Sequence, residues 1–290
     1  MPPTARLATT PSLRILFGDN LDWLPRLPDS SFRLIYIDPP FNTRKKQSRT
    51  RIRTTRDEQG GDRIGYKGKR YRTTVLGEKS FDDTFTDYLA FLGPRLEHAR
   101  RLLCDDGSLF VHLDFREVHY VKVRLDELFG RESFQNELIW AYDYGARSKK
   151  RWSPKHDTIL WYTKHPTDYV FRYDDMERIP YMAPGLVGPE KAARGKTPTD
   201  VWWHTIVSPN GRERTGYPTQ KPIGLLRRII EVHSDPGDQV LDFFAGSGSW
   251  GEVAAQRERV ATLIDCNPEA LDVMRRRLAV YAPEIIEWPA

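Results

Sequence analysis

Val240-Leu241-Asp242-Phe243-Phe244-Ala245-Gly246-Ser247-Gly248-Ser249-Trp250-Gly251 runs a short apolar strand into a glycine turn, and a second apolar strand, residues 260–264, ends at Asp265. The acidic residue 19 positions after Gly246 completes the pattern of a βαβ nucleoside-binding unit. In such a unit the glycines let backbone approach the ligand, and the acid accepts hydrogen bonds from ribose hydroxyls. A dinucleotide-binding dehydrogenase needs several further strands after this unit, yet only 25 residues follow Asp265. The strands that complete the sheet must therefore precede the glycine turn. The chain is expected to be α/β, a Rossmann-like, mostly parallel sheet with helices on both faces, in circularly permuted order.

Strand and helix signals alternate upstream as this requires. Leu13-Arg14-Ile15-Leu16-Phe17 reads as a strand ending at Gly18-Asp19, expected beside the strand that ends at Asp265. Leu34-Ile35-Tyr36-Ile37 reads as a buried strand ending at Asp38-Pro39-Pro40-Phe41, next across the sheet. Proline lacks an N–H and fixes its φ, and the residue before it is held extended. The Asp38 and Pro39 carbonyls should thus stand beside the Asp38 carboxylate as a fixed array of acceptors, suited to an amino group. Further strands are read at 108–113, 137–140, 158–162 and 239–243, and helices at 84–103, 117–128, 225–233, 250–256 and 269–279. Residues 1–141 and 218–290 are expected to form one discontinuous domain, 42–80 a basic loop, and 142–217 an irregular insertion.

The net charge of +5 conceals a strong asymmetry, because residues 42–79 hold 13 basic side chains and four acidic ones. Concentrated positive charge of this kind fits a polyanionic partner. No 18-residue apolar window exists, so the chain is read as soluble and cytoplasmic, with no membrane partner. Cys104 and Cys266 lack metal-ligand spacing and read as buried thiols, and no metal site is expected.

The whole set of motifs resembles the S-adenosylmethionine-dependent DNA amino-methyltransferases of the β group, in which the catalytic motif precedes the cofactor motif. The resemblance runs through Gly18-Asp19, Asp38-Pro39-Pro40-Phe41, residues 106–112 and 156–162, Pro218-Thr219-Gln220-Lys221-Pro222, and Asp242 to Gly248. It implies a class I methyltransferase fold with Asp38, Pro39, Pro40 and Phe41 as catalytic residues. Asp38 and the Pro39 carbonyl would hold the exocyclic amine of a flipped base, and Phe41 would stack on that base. S-adenosyl-L-methionine would be held by Asp19, Asp38, Thr219, Lys221, Asp242, Phe243, Phe244, Ala245, Gly246, Ser247, Gly248 and Asp265. In this family D-P-P-[YF] mostly accompanies adenine N6 methylation and S-P-P-Y cytosine N4 methylation. A cytosine C5 enzyme is excluded, since neither cysteine follows a proline.

Double-stranded DNA is the expected partner, and the protein is expected at the nucleoid. Arg44, Lys45 and Lys46 in the basic segment are assigned to phosphate, with the segment unfolded alone and ordered on DNA. Arg147, Lys149, Lys150 and Arg151, beside Trp152, are assigned to target recognition. Trp202, Trp203 and His204 are read as packing residues. The expected activity is sequence-specific N6-adenine methylation. Cytosine N4 methylation on the same architecture, and a DNA-binding protein without turnover, are the alternatives. By analogy, a cognate restriction endonuclease and a homodimer complete the expectations.

Overall fold

The computed structural model describes residues 12–43, 45–57, 59–64, 68–83, 85–145, 147–208 and 210–289. The elements are β1 (Leu13–Phe17), α1 (Asn20–Trp23), β2 (Phe32–Ile37), β3 (Lys45–Arg56), β4 (Arg63–Ile64), β5 (Arg70–Asp83), α2 (Tyr88–Leu102), β6 (Leu103–Leu113), α3 (Val118–Phe129) and β7 (Phe134–Ala141). They continue as β8 (His156–Thr163), α4 (Pro189–Arg194), β9 (Val201–Trp203), α5 (Ile223–His233), β10 (Gln239–Asp242), α6 (Ser249–Gln256), β11 (Val260–Asp265), α7 (Pro268–Arg277) and β12 (Glu284–Glu287).

Nine of these strands form one sheet in the order β12-β1-β11-β10-β2-β6-β8-β7-β9. The permuted order is realised: β1 pairs with β11 in parallel, and β10 lies between β11 and β2. Only β8 runs against its neighbours, pairing antiparallel with β6 and β7. Leu34, Ile35, Tyr36 and Ile37 are all at most 1% exposed, as the uninterrupted apolar run of a strand covered on both faces requires. Helix α5 buries Leu225, Leu226, Ile229 and Ile230, the stripe of a helix laid against a sheet. Caps set the helix starts nearest the cleft. Asp19 accepts from the Leu21 N–H at α1, Asp87 from Ala90 at α2, and Asn267 from Glu269 at α7.

Residues 40–86 depart from the loop expected of the basic segment. Pro40–Thr86 is a compact unit of its own, with a three-stranded antiparallel sheet in the order β3-β5-β4. The charge of this segment masks its strand-forming residues, Thr50, Ile52, Thr54 and Thr55 on β3 and Thr73, Thr74 and Val75 on β5, since β-branched residues favour a pleated backbone. The Asp57 carboxylate forms the adjoining turn by accepting from the Gln59 and Gly60 N–H groups. Those hydrogen bonds hold its pKa below the usual range. Asn42, at φ 51°, accepts from Phe85 N–H at 3.0 Å and so joins the two ends of the unit.

Residues 142–217 do not form a separate body, because β8 lies inside the large sheet between β6 and β7. Trp202 packs as expected at 8% exposure, but Trp203 is 73% exposed. Nor are the cysteines buried: Cys104 is intermediate and Cys266 exposed. Among the described residues no helix is long and apolar enough to cross a membrane, and no cluster of His, Cys, Asp and Glu could hold a metal ion.

Candidate active site

Because β1, β2, β10 and β11 run parallel, their C-terminal ends share one edge of the sheet. That edge gathers Asp19, Asp38, Asp242 and Asp265 from positions as much as 246 residues apart, at the crevice where open α/β sheets bind ligands. The glycine turn is built around two of these carboxylates. Asp242 Oδ1 accepts from Phe244 N–H at 2.9 Å, while Asp265 accepts from Gly246 N–H at 2.7 Å and from Asn267 N–H at 2.8 Å. Gly246 sits at φ 49°, and a Cβ there would lie 3.2 Å from the Tyr217 ring. The turn thus leaves bare backbone between Tyr217 and Asp265.

The electrostatics favour a cation. Burial pushes the Asp242 carboxyl well above its ordinary pKa, and the charges of Asp38 and Asp265 push it the same way against the Phe244 N–H and Lys221. Burial also raises Asp265, opposed by the N–H groups of Asn267, Gly246 and Cys266. A positively charged ligand in this cleft would relieve both. These residues therefore fit S-adenosylmethionine, an adenosine bearing a sulfonium and an ammonium. Asp265 retains lone pairs for a ribose diol, and Asp242 offers a counter-charge.

Asp38 ends β2 with its carboxylate divided in use. Lys221 Nζ is hydrogen-bonded to Oδ2, whereas Oδ1 is buried and has no hydrogen-bond partner among the described residues. Lys221, expected at the cofactor together with Asp38, pairs with Asp38, and its side chain is 8% exposed. A braced turn delivers it. Gln220 Oε1 accepts from the Thr215 N–H and hydroxyl, Gln220 Nε2 donates to Glu213 O, and Thr219 takes φ 59°. A positive φ at a β-branched residue is strained backbone, held here by these neighbours.

Two buried networks were not foreseen. Arg95 on α2 donates to Asn20 Oδ1 at 2.5 Å and to Asp19 Oδ1 at 3.2 Å, and Asn20 Nδ2 donates to Phe243 O at 2.8 Å. Asp19 is thereby fixed as both helix cap and ion-pair partner. The second network lies under Asp38. Tyr36 O–H and His112 Nδ1 are 2.7 Å apart, His112 Nε2 is 3.3 Å from Asp157 Oδ2, and Tyr142 O–H donates to Asp157 Oδ1 at 3.1 Å. Burial disfavours the Asp157 carboxylate, yet His112, Lys221 and Tyr142 together bring its pKa below the ordinary value. The Tyr36 ring stacks on Trp250 of α6 at 5.1 Å, joining this network to the glycine turn.

The cations assigned to DNA are distributed over both units. Arg44 lies outside the described residues, and Lys45 and Lys46 begin β3. Arg147 pairs with Asp143 at 2.6 Å on the surface, and Lys149, Lys150 and Arg151 are exposed on the connection from β7 to β8. Pro40 and Phe41 open the second unit, directly after Asp38 and Pro39.

A permuted parallel sheet with a cation-seeking glycine turn and a half-used buried carboxylate at one edge defines a Rossmann-like α/β group-transfer enzyme. Comparison with known proteins gives the family. The profile described as "DNA methylase" for N6 and N4 methyltransferases matches residues 32–276, and the chain belongs to that family. It is 30% identical over 267 residues to the Type II methyltransferase M.HpaI of Haemophilus parainfluenzae, covering 91% of this chain and 74% of the relative. It is 29% identical over 274 residues to the DNA adenine methyltransferase YhdJ of Escherichia coli K12, covering 92% and 82%. Among solved structures it is similar in fold to the cytosine-N4-specific PvuII DNA methyltransferase, with TM-score 0.64, 16% identity and coverage of 94% and 90%. The M1.HpyAVI–SAM complex is similar with TM-score 0.58, 19% identity and coverage of 91% and 98%.

Proposed function

We propose that this DNA methyltransferase is site-specific and transfers the methyl group of S-adenosylmethionine to N6 of adenine in duplex DNA, after the base leaves the helix. One observation carries the reading: among the described residues Asp38 Oδ1 is a buried acceptor with no hydrogen-bond partner, while its sister oxygen is held by Lys221. An unmet buried acceptor costs about 1–3 kcal/mol, which a donor from outside would recover. An exocyclic amine supplies that donor. Its lone pair is delocalised into the ring, and hydrogen bonds from its protons to Asp38 Oδ1 and the Pro39 carbonyl would favour a pyramidal nitrogen with its lone pair directed at the donor methyl. When bound, S-adenosylmethionine supplies the electrophilic methyl. Asp265 and the glycine turn would hold its nucleoside, and Asp242 its cationic side. Phe41, three residues after Asp38, is the stacking candidate. A base inside the duplex cannot reach a cleft at the sheet edge, so the target must be extruded.

The aspartate in D-P-P-F and the similarity to an adenine methyltransferase support adenine. Cytosine N4 is the second reading, favoured by the fold similarity to a cytosine-N4-specific enzyme, and Asp38 would serve either amine. By analogy we extend the proposal to a homodimer with a cognate restriction endonuclease. The test is Asp38→Ala with labelled S-adenosylmethionine and genomic DNA. Turnover is expected to vanish while cofactor affinity stays within a fewfold of wild type. Equal loss of both would contradict the role given to Asp38.

A further inference from the structure

The connection between β7 and β8 carries Trp152, which at 98% exposure is more open to water than any other large apolar residue described. Water disfavours so open an indole, and among the described residues its rings stack on none. The tip that bears it is nevertheless tied by its own hydrogen bonds. Ser148 N–H donates to Ser153 Oγ at 2.7 Å and Lys150 N–H to Ser148 Oγ at 3.2 Å, a clasp that turns Lys149–Trp152 outward. The base of the connection is tied as well. Tyr142 N–H donates to Lys155 O at 2.9 Å, Tyr142 O–H to Asp157, and Lys155 Nζ to Tyr144 O. Since β7 runs in the direction of β6 and hence of β2, the connection leaves the sheet at the Asp38 edge.

A braced tip with three cations beside a naked aromatic ring matches the chemistry of a DNA duplex in two respects. Lys149, Lys150 and Arg151 suit phosphates, and a flat apolar ring suits the gap between base pairs. Extruding a base leaves its two neighbours with one stacking face each unpaired, a loss that an inserted ring makes good. We propose that Trp152 is the wedge that enters the duplex when the target base leaves and stacks in its place. The inference rests on the base-extrusion reading of the Asp38 pocket.

Full exposure makes Trp152→Ala a variant whose fold should survive, and Trp203→Ala serves as a comparison, since Trp203 is also exposed on the neighbouring strand β9. The methylation site is first located by sequencing modified genomic DNA. Single-turnover methylation is then measured on a duplex with the target base paired and on one with the target opposite an abasic site, where extrusion is nearly free. Trp152→Ala is expected to slow the paired duplex by about tenfold or more and to come within about twofold of wild type on the abasic duplex, the range that loss of one base–aromatic stack allows. Trp152→Phe should retain most of the rate, and Trp203→Ala should match wild type on both. An equal defect on both duplexes would show a simple DNA contact and overturn the wedge, as would no defect. If wild type itself is indifferent to the abasic site, extrusion is not limiting and the wedge fails. If wild type methylates neither duplex, the pocket reading fails first and the wedge with it.

Discussion

Lys221 Nζ reaches across 183 residues of sequence to Asp38 Oδ2 and leaves Oδ1, among the described residues, an open acceptor. On the proposed reading the cation neutralises and orients the carboxylate that receives the substrate amine. Lys221→Met should therefore lower single-turnover rate by roughly a hundredfold, the loss of about 2–3 kcal/mol for a charge-assisted hydrogen bond. S-adenosylmethionine affinity by calorimetry should change by less than about threefold, and Lys221→Arg should restore part of the rate. A variant that binds cofactor poorly but turns over normally once saturated would return Lys221 to the cofactor.

Asp242 carries a pH dependence whose sign is fixed by its raised pKa. Its folded value lies above the unfolded value near 3.9, so ligand-free stability is fully present at acid pH and declines as pH rises through the folded pKa. Asp242→Asn, which cannot ionise, should melt above wild type at pH 8, with the difference shrinking toward pH 5. The same proton should leave when cationic S-adenosylmethionine binds, giving binding heats that depend on the buffer's ionisation enthalpy. Identical heats in phosphate and Tris would contradict it.

His112 is fully buried between Tyr36 and Asp157, so His112→Phe leaves a hydroxyl and a carboxylate each short of a partner. A loss of about 2–4 kcal/mol is expected in urea denaturation. Because the folded pKa of Asp157 is lowered, this contribution is present above about pH 4 and fades as pH falls through that lowered value. A gap between variant and wild type that widened in acid would refute the assignment.

Gly246→Ala places a methyl 3.2 Å from the Tyr217 ring at a backbone angle of φ 49°. The left-handed backbone costs a side chain about 1–2 kcal/mol, and the methyl crowds the Tyr217 ring that lies against the turn. Thermal melting should fall by a few degrees, while cofactor Kd should rise by about tenfold. A pure stability loss with unchanged Kd would remove Gly246 from the binding surface.

Much of this was legible in the chain. The glycine turn with Asp265 19 positions after Gly246 marks the nucleoside-binding unit, and uninterrupted apolar runs mark strands such as β2. Three kinds of information were not. The β3–β5 ribbon was obscured because its strands are rich in Arg and Lys and lack the regular apolar alternation that marks a half-buried strand. The Lys221–Asp38 pair is a contact between distant segments, which no local pattern encodes. Arg95 and His112 could have been found: Arg95 falls on the apolar stripe of α2 between Leu92 and Leu96, and His112 interrupts the run Leu109 to Leu113, and a polar residue in either setting needs a buried partner.

On the proposed function Asp38 receives the N6 amine of adenine. The direct measurement is mass spectrometry of nucleosides from unmethylated genomic DNA incubated with the protein and S-adenosylmethionine. N6-methyldeoxyadenosine is the predicted product, absent with Asp38→Ala. N4-methyldeoxycytidine alone would contradict the choice of base, and no methylated nucleoside from any DNA would contradict the pocket itself.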